Sequence, residues 1–86
     1  MPRISEFYGI VIAMFYNDHE PPHFHAIYGE RRALITIASK EVIAGSLPRR
    51  ALRMALEWAI NHESELRDNW ERAKAHRPLT RIAPLE

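Results

Sequence analysis

Apolar positions along the chain follow two patterns, and the change between them comes at residue 46. Phe7 to Tyr16 is almost wholly apolar and rich in Ile, Val, Phe and Tyr. Both of its alternating faces are apolar, which predicts one central strand covered on two sides, with Gly9 marking a bulge. Phe24 to Tyr28 predicts a second strand, closed by a turn over Gly29-Glu30-Arg31-Arg32. Ala33 to Ala38 predicts a third, and Ser39-Lys40-Glu41 turns into a short fourth, Glu41 to Ala44, ended by Gly45. Connections this brief between successive strands predict an antiparallel meander of about four strands.

After Gly45 the period lengthens. Ser46 is placed to cap a helix and Pro48 suits its first turn. Leu52, Leu56, Ala59, Leu66, Trp70 and Ala73 then recur three, four or seven residues apart, an apolar helical stripe that Met54 and Trp58 widen and Glu63 interrupts. Asn61-His62-Glu63-Ser64 is where such a helix would kink or divide, and the pattern fades near Lys74 to His76. Pro78 and Pro84 predict an extended tail, with Leu79, Ile82 and Leu85 pinned onto the body. The expected fold is α+β: a single domain over 1–86, with 1–45 as sheet, 46–76 as one long or broken C-terminal helix, and 77–86 as tail. One helix covers one face of a sheet. The apolar residues of the other face then predict association, with a second copy or another protein.

Composition narrows the classes. The 86 residues contain no cysteine, which excludes a disulfide framework and a thiolate zinc site and fits a reducing, cytoplasmic home. The run Ile10 to Tyr16 is far short of the roughly 20 apolar residues that span a bilayer, so no membrane role is expected. Ten of the 12 basic residues are arginine, yet the net charge is only +1 and no recognised reading motif is present, which argues against sequence-specific nucleic-acid recognition. Arg49, Arg50 and Arg53 read as solvated helix surface, since acids are interspersed downstream.

The candidate chemistry lies in residues 17–25, Asn17-Asp18-His19-Glu20-Pro21-Pro22-His23-Phe24-His25. Strand alternation puts His23 and His25 on one face, about 6.6 Å apart along the chain. His19 lies four residues upstream, and Asp18 can orient an imidazole or act as a ligand. Three readings follow. The imidazoles hydrogen-bond the loop and nothing more; or Asp18, His19, His23 and His25 coordinate a divalent metal ion; or His19, His23 and His25 perform metal-free acid–base cleavage of RNA. In the last, His23 and His25 exchange protons while His19 or an arginine stabilises the charge of the transition state. Tyr16, Tyr28, Arg31 and Arg32 are the candidate substrate-binding residues. His62 reads as a helix spacer, His76 as a partner of the helix end, and Trp58 and Trp70 as anchors of helix to sheet.

The chain also resembles a family. Met1-Pro2-Arg3-Ile4, Tyr8-Gly9-Ile10, the 17–25 loop, Gly45-Ser46-Leu47-Pro48, Glu57-Trp58, Glu65-Leu66, Asn69-Trp70 and Ile82-Ala83-Pro84-Leu85 are similar to the small bacterial domain of unknown function 4160. That resemblance carries no catalytic residues with it. It implies a gene neighbour of the domain of unknown function 2442 type, and so the toxin-like half of a two-protein, toxin–antitoxin-like module. On that basis an RNA-cleaving enzyme is one expectation and a non-catalytic protein-interaction module the other.

Overall fold

The computed structural model describes residues 2–86. Five strands, β1 (Arg3–Phe7), β2 (Ile10–Ala13), β3 (His23–Tyr28), β4 (Arg31–Thr36) and β5 (Val42–Gly45), are followed by helices α1 (Arg49–Asn61) and α2 (Glu63–Lys74). The strands form one antiparallel sheet in chain order, β1-β2-β3-β4-β5. The α+β meander is therefore as expected, with one strand more than the hydrophobic pattern gave and the helical part broken in two.

The extra strand comes from the run Phe7 to Tyr16, which is a hairpin rather than one strand. Phe7 pairs with Ile10 and Glu6 with Val11 across a turn at Tyr8-Gly9. Both turn residues have positive φ, 50° and 82°, the geometry that suits the twist of a two-residue hairpin. A tyrosine at the first turn position hides that turn from a reading based on polarity. Arg31 and Arg32 belong to β4, opposite Tyr28 and Ile27, so the β3–β4 turn shrinks to Gly29-Glu30. At the end of β5, Gly45 has φ 74° and a Cβ there would stand 2.0 Å from the Arg32 carbonyl oxygen. Only glycine allows that approach.

The core lies between one sheet face and the helices. Ile10, Ile12, Phe24, Ala26, Ala33 and Ile35 meet Ala51, Ala55, Trp58 and Ala59 of α1 and Leu66 and Trp70 of α2, all buried. Trp58 packs on Phe7 and Phe24, with ring centroids 5.5 and 6.0 Å away. The buried stripe of α1 is set by alanines four residues apart, which bring the helix close to the sheet. Leu52 and Leu56 flank it, half-buried. The helical part divides at His62 (φ −131°), within the stretch where a kink was expected. Ser46 does not cap α1: the helix starts at Arg49, Pro48 is its N-cap residue, and no side chain bonds the cap.

The tail is extended and pinned. Ile82 N donates to Ile4 O at 2.8 Å, and Trp58 Nε1 donates to Ala83 O at 2.8 Å. Buried Asn69 holds Thr80 three times, accepting from its N and Oγ1 and donating to its O. Among the described residues no helix is long and apolar enough to cross a membrane. The opposite edge of the sheet, β5, is exposed at all four positions.

Candidate metal centre

Pairing of Ala13 with His25 and of His23 with Thr36 puts the start of β3 beside the end of β2. The loop between them folds back over this end of the sheet. Its backbone is stiffened by the rings of Pro21 and Pro22; the Glu20-Pro21 peptide is cis and Asn17 has φ 62°. Ile37 N donates to Pro22 O at 3.0 Å and ties the loop to the β4–β5 connection.

This folding brings Asp18 over the two strand histidines. Asp18 Oδ2 stands 3.0 Å from His23 Nε2 and 3.1 Å from His25 Nε2. One ligand atom from each of Asp18, His23 and His25 lies within 4.8 Å of the other two. His23 has no exposed surface and His25 only 8%. Phe15 stands edge-on to the His25 ring at 4.5 Å, and the Trp70 ring lies 5.4 Å from that of His23.

The hydrogen-bond accounting is uneven here. His23 Nδ1 lies 2.8 Å from Pro21 O. A carbonyl only accepts, so Nδ1 carries the proton, and in the neutral form of the ring the lone pair is at Nε2. That lone pair faces a carboxylate oxygen and makes no hydrogen bond. Four buried side-chain polar atoms among the described residues have no partner, and they include His23 Nε2, His25 Nδ1 and Trp70 Nε1. Three of the four thus belong to one neighbourhood. Buried polar atoms are nearly always paired, so a cluster of orphans asks for a group that satisfies them. A cation between Asp18 Oδ2 and His23 Nε2 satisfies the His23 nitrogen, though not the Trp70 N–H, which is a donor; the carbonyl behind His23 is the outer-shell partner that metal-binding imidazoles use.

Charge states agree. Burial opposes ionisation of Asp18, but hydrogen bonds from His25 and the His19 backbone, with the adjoining imidazoles, outweigh it and hold the carboxyl below its usual value. Burial pushes the His25 imidazole below its ordinary value; Asp18 opposes this, while the charges of His23 and Arg32 add to it. An ionised carboxylate beside a neutral imidazole is the state in which both bind a metal.

The other expected site residues disperse. His19 is on the rim, its side chain 73% exposed and its Nε2 3.9 Å from Asp18 Oδ1; its ring is 5.3 Å from that of His23. The Tyr16 hydroxyl donates to Arg77 O at 2.8 Å and its ring stacks on His76. Tyr28, Arg31 and Arg32 lie at the far end of the β3–β4 ladder from His23, five strand steps or about 17 Å away. His62, expected as a spacer, sits at the helix break with Nδ1 2.6 Å from Glu65 Oε1. Trp70 is the neighbour that the sequence did not connect to the loop; its helical spacing gave only an anchor, and no local pattern pairs it with His23.

Fold and site together define a small α+β protein with an enclosed two-histidine, one-carboxylate cluster. Residues 9–71 match the family described as Domain of unknown function (DUF4160), and the chain belongs to that family. No curated protein and no solved structure gives a significant match.

Proposed function

We propose that the protein binds one divalent transition-metal ion through Asp18, His23 and His25, with His19 at the solvent side of the centre. The observation that carries this is the unbonded approach of His23 Nε2 to Asp18 Oδ2 at 3.0 Å. Two cis ligands on one ion at bonds of roughly 2.1 Å stand about 3 Å apart. Mixed nitrogen and oxygen donors favour zinc, iron, nickel or manganese over calcium or magnesium. The bound ion would fasten the 14–22 loop to the sheet.

Elemental analysis of untagged protein is the test, paired with thermal melting before and after chelation. About one metal per chain, a fall in Tm on chelation and loss of both in Asp18→Ala are expected. Metal-free protein whose Tm ignores added zinc, iron, nickel and manganese would sink the reading.

Metal-free RNA cleavage finds less support, because His23 is fully enclosed and only His19 is open to solvent. The reading as one half of a two-protein module rests on a different feature. Val42 and Ile43 of β5 are 39% and 43% exposed on an edge strand, the type of edge to which a partner's strand adds. Light scattering of the protein alone and with a strand-donating partner tests it, with Ile43→Lys as the variant that should abolish association.

A further inference from the structure

At the end of the sheet away from the histidines is a cleft of about 300 Å³ lined by Tyr8, Tyr28, Pro48, Arg50, Ala51 and Met54. We propose that this cleft binds single-stranded nucleic acid, one base lying against the tyrosine rings and the adjoining phosphates on arginines. The proposal is independent of the metal centre.

The rings at this cleft are not there to fill the core. Tyr8 is 61% and Tyr28 40% exposed, whereas Phe7, Phe24 and Trp58 are buried. Tyr8 also occupies the first position of the β1–β2 turn at φ 50°. That region disfavours a bulky side chain by about 1–2 kcal/mol, and Asn, Asp or Gly would make the same turn without the penalty. Neither turn geometry nor burial accounts for a tyrosine here; a surface contact for its ring does. Tyr28 is fixed beside it, because Gly9 leaves room for its ring: a Cβ at Gly9 would be 3.3 Å from Tyr28 Cε1.

The charge around the cleft is unbalanced locally. Arg31, Arg49, Arg50 and Arg53 are all exposed. Arg31 is the direct cross-strand neighbour of Tyr28, and its Nη2 donates to Ser46 Oγ at 3.0 Å, which brings it to the approach of α1. The Ser46 N–H donates to Arg32 O. None of these four arginines has a carboxylate within 4.0 Å among the described residues. On α2, in contrast, Arg67 and Arg72 each pair with an acid four residues earlier, Glu63 and Asp68. The first turn of α1 contains no acid.

Exposed aromatic rings beside unpaired arginines are the means by which proteins hold single strands, since every base has a face to stack and every linkage has a charge. The volume suits one nucleotide unit. A duplex keeps its bases stacked inside and offers the tyrosines nothing. Arg49 and Arg50, read from the sequence as solvated surface, and Tyr28 and Arg31, read as candidate substrate-binding residues, thereby acquire a site of their own.

Fluorescence anisotropy with a labelled 12-nucleotide single strand of mixed sequence, as RNA and as DNA, tests this against the matching duplex and against AMP as competitor. Tyr8→Asn keeps the turn and removes the ring. It should melt no lower than the parent and bind the single strand about fivefold to a hundredfold more weakly. Arg50→Gln should lower the slope of log affinity against log salt by about 0.7, while Arg72→Gln on α2 should leave binding unchanged. The proposal is overturned by no binding of either strand at low salt, by equal binding of the duplex, by displacement with equimolar AMP, or by parental binding in both Tyr8→Asn and Arg50→Gln.

Discussion

His23 illustrates how one side chain serves two structures at once. Its Nδ1 is spent on the loop carbonyl of Pro21, and its Nε2 is held bare against Asp18. The two roles separate by mutation. Asp18→Asn keeps the shape and removes the charge, so metal affinity should fall at least tenfold while the metal-free fold persists, measured by titration with a competing chelator. His23→Ala should also destabilise the metal-free protein, by about 2–4 kcal/mol in urea unfolding, because it opens a cavity and orphans a carbonyl. Gly45→Ala is a second test at this scale. The 2.0 Å approach to Arg32 O should cost distinctly more than Gly29→Ala, where nothing stands within 4 Å and only the positive φ matters, about 1 kcal/mol. Parallel unfolding curves compare the two directly. The loop's histidines and aspartate were legible as a candidate site from the sequence because residue type and spacing point to one. Which of them meet was not: His19 and His23 are only four residues apart in sequence, yet one is open and the other sealed by Trp70 from far along the chain.

Elements were legible where the hydrophobic period agreed with the turn chemistry. The break between α1 and α2 falls at His62, where a polar run crosses the apolar stripe, and the short β3–β4 and β4–β5 connections gave the meander. The β1–β2 hairpin was lost because its turn carries Tyr8, and a continuous apolar run reads the same with or without a reversal inside it. The start of α2 shows a further link that spacing cannot reveal. Lys40, in the β4–β5 connection, donates to Glu63 Oε1 at 2.6 Å and to Ile37 O at 2.7 Å. Hydrogen bonds from Lys40 and Arg67 hold the Glu63 carboxyl below its ordinary value. A lowered carboxyl pKa stabilises the fold above the unfolded-state value of 4.5 and ceases to do so as pH falls through the folded-state value. The parent should therefore lose more stability than Glu63→Gln on acidification below that range, as read from Tm against pH.

Across the whole molecule, the tail completes the core rather than trailing from it. Asn69 satisfies three polar atoms of Thr80 inside the fold, so Asn69→Ala should cost about 1–3 kcal/mol. Amide exchange at Thr80 and Ile82 should accelerate far more than exchange in β3. Equal acceleration everywhere would mean that the tail is not a separately released unit. The pinned tail was anticipated from Leu79, Ile82 and Leu85, but Asn69 as its clasp was not, since a polar residue on a helix carries no sign of being buried.

That clasp bears on assembly. By delivering the Ile82 N–H to Ile4 O, the C-terminal residues occupy one lateral margin of the sheet and leave the β5 margin open. A body with a single open strand edge has room for one neighbour there and no more. Lateral growth should end at pairs, never at filaments.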